Sequence, residues 1–236
     1  SIVVQTPNGQ QDIIYDRLVL AAGSRVFRPD IPGLAGHGLC IDTYNEAKKL
    51  DLHLKALSYQ AQSDGWNTVL VIGAGLTGIE IACEMPNRLK ALGIQSGRVI
   101  LADRLQHIGS DMGTHARAVI ERALDSLGIE TRTAIKVAAI GDRGVTFTDG
   151  EHVAAQTVVW CAGMVASPLA ARLPGERDHW GRLPVDEFLK VKGLGDMYAA
   201  GDIAAANIDN GHTSVMSCQH ARPMGRFAGH NAVSDL

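Results

Sequence analysis

Aromatic side chains make up only 5% of this sequence and charged ones 20%. No apolar run reaches the ~20 residues that a membrane-spanning helix requires, and no signal-peptide pattern is visible. Lys and Arg number 22 against 25 Asp and Glu, a net charge of −3 with no basic stripe, so a nucleic-acid partner has no electrostatic support. Cysteine is sparse. Cys40, Cys83, Cys161 and Cys218 form no C-x-x-C pair, so disulfides and thiolate metal sites are not expected. The four are read as small core hydrophobes, and a reducing cytoplasm is the expected compartment. The 9 His residues are scattered without H-E-x-x-H, so no metal centre is expected.

Glycine, with 26 residues, and apolar side chains, at 46%, are plentiful, a balance that suits an α/β protein with many tight strand-to-helix turns. Ile2–Gln5 and Asp12–Tyr15 read as strands joined through Pro7-Asn8-Gly9. Arg17–Ala22 is an apolar run ending at Gly23, and Pro29, Pro32 and Gly33 then mark a boundary. Asn45–Gln62 has helical spacing in Ala47, Leu50, Leu54 and Leu57. The clearest unit follows: strand Thr68–Ile72, helix Leu76–Leu92 and strand Arg98–Ala102, a βαβ arrangement. A helix over Thr114–Leu127, a hairpin about Asp149-Gly150 and a buried strand Thr157–Cys161 come next. A loop-rich passage leads to strand Met197–Ala200 and a closing helix Arg226–Leu236. Ser1 opens directly into an apolar strand and Leu236 closes within a helical pattern, so the chain is read as a piece of a longer protein.

Gly73-Ala74-Gly75-Leu76-Thr77-Gly78 is G-x-G-x-x-G set between a strand and a helix. Those glycines permit a tight turn, close backbone approach to a pyrophosphate and close helix–strand packing, and the helix N-terminus attracts phosphate. The motif predicts a nicotinamide-dinucleotide site. Asp103, thirty positions after Gly73, follows the second strand, where a carboxylate accepts from both ribose hydroxyls and repels a 2′-phosphate. NAD(H) is therefore expected over NADP(H), although the Arg104 guanidinium alongside would soften that repulsion. Glu80 has two readings: an acid favoured by the helix dipole, or a side chain lining the nicotinamide entrance and taking part in catalysis.

Three strings combine with this loop, which reads GAGLTGIE over Gly73–Glu80: YDRLVLAAGS (Tyr15–Ser24), VWCAG (Val159–Gly163) and YAAGD (Tyr198–Asp202). In this order they resemble the pyridine nucleotide–disulfide oxidoreductases, the two-dinucleotide-fold flavoproteins. WCAGMVASPLA (Trp160–Ala170) followed by GRLPVDEFLKV (Gly181–Val191) is similar to the type II NADH dehydrogenases in particular. The resemblance implies an α/β fold in which a Rossmann-like NAD(P)-binding domain is inserted in a partial FAD-binding domain of the glutathione-reductase type. The expected division is residues 1–36 and 164–236 for the two parts of the FAD domain, and 37–163 for the NAD(H) domain. The family's first Gly-rich FAD fingerprint and its C-terminal domain are expected to lie outside this chain, and the fragment alone is expected to be inactive.

By resemblance, Asp202 bonds the flavin ribitol, with a turn or cap role as the alternative. Ala22, Gly23, Gly201, Gln219, His220 and Ala221 join it around FAD, while Ala162 and Gly163 meet the nicotinamide end of NAD. The implied activity is hydride transfer from NADH to FAD and on to an acceptor, a quinone in the type II enzymes. Ser217–Arg222 departs from the Ala- and Gln-rich quinone-site helix of better-known members. A flavoprotein reductase with a soluble acceptor of the ferredoxin or nitrite-reductase type, and a non-catalytic NAD-binding redox module, therefore stay open. The expected partners are NADH and a quinone or other acceptor. The resemblance also implies a homodimer and peripheral attachment of the full-length protein at the inner face of the cell membrane.

Overall fold

The computed structural model describes residues 1–59, 62–209 and 211–236. They form two units, Ser1–Arg25 with Met164–Leu236, and Val26–Gly163 inserted between those segments. The first unit opens with β1 (Ile2–Thr6) and β2 (Gly9–Ile13), antiparallel with Thr6 opposite Gly9. Pro7 and Asn8 make the turn alone, because Gly9 takes φ +115° and already belongs to the strand. The second strand thus starts three residues earlier than the sequence pattern placed it. β3 (Leu18–Leu20) completes this segment.

The inserted unit contains β4 (Gly38–Leu39), α1 (Tyr44–Leu57), β5 (Thr68–Ile72), α2 (Leu76–Ala91), β6 (Arg98–Ala102), α3 (Gly113–Ser126) and β7 (Glu130–Arg132). β8 (Val137–Gly141), β9 (Gly144–Phe147), β10 (His152–Ala154) and β11 (Thr157–Trp160) follow. Strands β4, β11, β5, β6 and β7 form, in that order, a wholly parallel sheet. β8, β9 and β10 form a separate antiparallel sheet. The pleat divides each apolar run between two faces. Val69, Val71, Val99, Leu101 and Val159 pack against Leu50 and Leu54 of α1, Ile79, Ala82, Met85 and Leu89 of α2, and Leu124 of α3. Leu70, Ile72, Ile100, Val158 and Trp160 face Ile140, Val145, Phe147 and Val153 of the antiparallel sheet. Both faces are covered, which is why these strands read as unbroken hydrophobic runs. At ~1.5–3 kcal/mol for each large buried aliphatic side chain, these layers are the main stabilising term of the unit.

Two expectations need correction here. The boundary placed at residue 36 falls between Arg25 and Val26. Val26, Ile31 and Leu34 join the core under the antiparallel sheet, Ile140 N–H donates to Pro32 O, and the buried Trp160 indole donates to Phe27 O at 2.8 Å. Prolines in this segment therefore mark an ordered crossing rather than a domain edge. The helix expected over Asn45–Gln62 ends at Leu57, and Gln60 and Ala61 lie outside the described residues.

The returning segment supplies β12 (Leu183–Pro184), β13 (Met197–Ala199), β14 (Ala204–Ala205) and α4 (Cys218–Ser234). α4 starts eight residues before the periodic run that opens at Arg226, running through Pro223. β13 lies parallel to β3 with Ala199 opposite Leu20, and Ala228 and Ala232 of α4 pack in the core that β13 shares. Asp235 accepts from Arg17 Nε and Lys190 Nζ, both at 2.8 Å, and from Tyr198 Oη at 3.0 Å. These donors, Lys190 foremost, bring its carboxyl down to about 2. Buried Arg182 bonds Asp178 at 2.6 Å, Thr213 Oγ1 at 2.9 Å and the Ser214 carbonyl, so no charge is left unpaired there. No helix among the described residues is long and apolar enough to cross a membrane.

Candidate dinucleotide and flavin sites

Strand order reverses at β5: β6 and β7 lie on one side, β11 and β4 on the other. In an open parallel sheet, ligands bind in the crevice at the carboxyl ends of the strands flanking such a point. The Gly-rich loop sits there. Gly73 takes φ +104°, and a Cβ on it would lie 2.6 Å from Ala162 Cα, so the loop packs directly on the backbone that follows β11. A Cβ on Gly78 would lie 1.7 Å from Gly73 O, the closest approach in the loop, whereas one on Gly75 would meet nothing within 4 Å. Two glycines thus serve packing and one leaves the backbone open to an incoming group.

No side chain caps α2, and its first backbone bond runs from Ile79 N–H to Gly75 O at 3.0 Å. The amides of Leu76, Thr77 and Gly78 have no acceptor among the described residues. Leu76 and Thr77 are exposed, as a ligand-facing turn requires. Unpaired amides at the positive end of a helix macrodipole form a phosphate cradle. Asp103, at the end of β6, turns its carboxylate onto this loop. Ala74 N–H donates to Oδ2 at 2.6 Å and Leu105 N–H to Oδ1 at 2.7 Å. Each oxygen keeps a further lone-pair direction for a sugar hydroxyl. Arg104 is exposed and makes no ion pair among the described residues. Gly109, which sequence reasoning missed, donates to Ala74 O at 3.0 Å and braces the loop, with its backbone at φ +61°.

Glu80 is exposed and is the fifth residue of α2, one position past its first turn. The helix dipole therefore explains it less well, because that effect fades beyond the terminal turn. Ala162 and Gly163 follow β11, and Gly163 O accepts from Phe27 N–H at 2.9 Å. Cys161 is buried beneath Gly78, and burial pushes its thiol up to about 12. Cys40 is also buried and Cys83 half-buried. Cys218, expected in the core, is instead exposed as the first residue of α4.

In the first unit, Gly23, Gly201, Asp202 and Ala221 come together with Ala21, Ala200, Cys218 and Gly225 around a shallow pocket of about 200 Å³. The walls are almost all Gly and Ala. Gly201 takes φ +76°, and a Cβ on it would press to 3.3 Å from Ala221 Cβ. The Asp202 carboxylate accepts nothing from its own turn; Oδ2 accepts from Ser24 Oγ at 2.7 Å. Small walls around one carboxylate fit the sugar-alcohol chain of a flavin. Ala22 and His220 are half-buried and Gln219 is exposed; none of the three lines the pocket. Ser24, Cys218 and Gly225 were not singled out as site residues, although Ser24 closes the string YDRLVLAAGS. No cluster of metal-ligating side chains occurs among the described residues.

A NADH dehydrogenase-like protein of Mycobacterium tuberculosis is 55% identical over 226 residues, covering 94% of this chain and 56% of that protein. A type II NADH:quinone oxidoreductase of Staphylococcus haemolyticus is 29% identical over 86% of this chain and 53% of its own length. The chain thus spans about half the length of the curated relatives it matches. The solved NAD-dependent persulfide reductase from A. fulgidus superposes with a TM-score of 0.75 at 24% identity, over 97% of this chain and 41% of that one, a likeness of fold. The pyridine nucleotide-disulphide oxidoreductase family model matches residues 2–225. The two-part α/β fold, the Gly-rich cradle and that match together make this chain a member of the pyridine nucleotide-disulphide oxidoreductase family.

Proposed function

We propose that the protein is an FAD-dependent NADH dehydrogenase that passes electrons from NADH to a quinone. The observation that carries this reading is the uncapped start of α2 above an unobstructed Gly75, with the Asp103 carboxylate one strand away. The amides of Leu76, Thr77 and Gly78 hold the diphosphate, and Asp103 accepts from the adenosine ribose. Gly163, Ala162 and Glu80 line the nicotinamide end, and Arg104 flanks the ribose. Asp202, with Gly23, Gly201 and Ala221 in the first turn of α4, holds FAD, and Gln219 and His220 of that turn stand outside the pocket. When bound, FAD supplies a two-electron carrier, so the protein's groups bind and orient and no proton-shuttling triad is needed. NADH loses a hydride to become NAD⁺, and a quinone taking those two electrons with the hydride's proton and one further proton from solvent closes the balance.

The two-part division into an inserted NAD(H) domain and a surrounding FAD domain belongs to the same reading, as does work by the whole protein at a membrane surface. The quinone finds support in a relative named as an NADH:quinone oxidoreductase. One observation bears on a second reading. The Ser217–Arg222 segment departs from the Ala- and Gln-rich pattern of the better-known quinone-site helices, so a soluble acceptor stays open beside the quinone. Steady-state NADH oxidation by the whole protein, with a short-chain quinone or a ferredoxin-type acceptor, separates the two. Turnover with quinone, together with sedimentation in the membrane fraction, supports the first. Turnover with the soluble acceptor alone replaces it with the second.

A further inference from the structure

Ser24 and Asp202 stand 178 positions apart in sequence, yet Ser24 Oγ donates to Asp202 Oδ2 at 2.7 Å. Their meeting follows from the fold. β3 and β13 are parallel neighbours with Leu20 opposite Ala199, and Ala200 N–H donates to Leu20 O at 3.1 Å. Both strands then leave the sheet through a left-handed glycine, Gly23 at φ +65° and Gly201 at φ +76°. Gly23 O accepts from Ser167 N–H at 2.9 Å, so the backbone just before Ser24 is fixed. The hydroxyl has one proton and gives it to the carboxylate. Asp202 accepts from no other group among the described residues, so Oδ1 is left to a ligand.

An unrestrained carboxylate at a pocket wall would lose rotamer freedom on binding, which weakens affinity. We propose that Ser24 is a positioning residue for the polyhydroxylated chain of the flavin cofactor. Its hydroxyl holds Asp202 in one rotamer, with the second oxygen presented to a ligand hydroxyl. This inference rests on the assignment of Asp202 to FAD, and the test separates the two.

The whole protein is stripped of flavin, checked by thermal unfolding, and titrated with FAD by fluorescence. Ser24→Ala is expected to weaken FAD on the order of tenfold, the scale of one hydrogen bond to a charged group. Ser24→Thr keeps the hydroxyl and is expected to bind within about twofold of the wild type, while Ser24→Val, nearly the same shape, binds as weakly as Ser24→Ala. On an Asp202→Ala background, itself weaker than wild type, Ser24→Ala adds nothing further. If Asp202→Ala weakens FAD but Ser24→Ala and Ser24→Val bind normally, the positioning role is wrong and the flavin assignment stands. Additive losses in the double variant overturn the positioning role as well. Unchanged affinity in Asp202→Ala overturns the flavin assignment of that residue.

Discussion

Gly75 and Gly78 stand three residues apart in one loop, and alanine at each is expected to fail in a different way. At Gly75 the backbone has φ −75° and ψ −178°, open to any residue, and the added methyl meets nothing within 4 Å. Stability should move by no more than about 1 kcal/mol, since alanine is a poorer N-cap than glycine but restricts the unfolded chain. On the proposed reading the same methyl stands where the backbone meets the diphosphate. Loss of one charge-assisted hydrogen bond there costs about 1.5–3 kcal/mol, or roughly 10- to 150-fold in NADH affinity. At Gly78 the methyl would sit 1.7 Å from Gly73 O, a backbone atom that cannot turn aside. The loop or helix must shift, at about 1–3 kcal/mol or more of stability. Isothermal titration with NADH and denaturant unfolding of both variants make the comparison. Full NADH affinity in Gly75→Ala, or unchanged stability in Gly78→Ala, would refute the reasoning.

Asp103→Ala should weaken NADH more than NADPH, and should also loosen the loop because Ala74 and Leu105 amides lose their acceptor; equal losses for the two nucleotides would remove the discriminating role. Asp178→Ala leaves the buried Arg182 guanidinium without its carboxylate and should cost about 3–5 kcal/mol in urea unfolding, with Arg182→Met milder. Burial holds the His53 imidazole, which meets Thr157 Oγ1 at 2.9 Å, below its usual 6.5, against a backbone hydrogen bond with Gln156 that pulls the other way. Both states are neutral above that value; as pH falls through it the unfolded chain takes the proton first, so stability declines. Unfolding midpoints at about pH 7.5 and about pH 5.5 should differ, and less so in His53→Gln. A maleimide should label Cys218 in the folded protein and Cys161 only after unfolding, and FAD should slow the reaction at Cys218, which lines the proposed flavin pocket.

The inserted unit was legible because its strands are short unbroken apolar runs and its turns carry glycine. Thr68–Ile72 and Arg98–Ala102 match the strand limits residue for residue, since burial on both faces makes Val69–Ile72 and Val99–Ala102 wholly apolar and leaves a polar residue only at the first position of each. The crossing at Val26–Gly36 was misread because its prolines and glycines look like a linker, while its packing partner, Ile140, lies more than a hundred residues away. The first turns of α4 lack the periodic pattern of Arg226–Leu236, and the helix runs through Pro223 because only one internal hydrogen bond is lost there. At the site, Gly73, Gly75, Gly78 and Asp103 are local in motif and visible in the chain. The bond between Ser24 and Asp202 depends on which strand neighbours which, and no spacing reveals that.

A crystal of the protein soaked with NADH reads the central claim directly. The expected density places the diphosphate against the amides of Leu76, Thr77 and Gly78, with the adenosine ribose hydroxyls on Asp103. Nucleotide bound away from α2, or a ribose turned from Asp103, contradicts it.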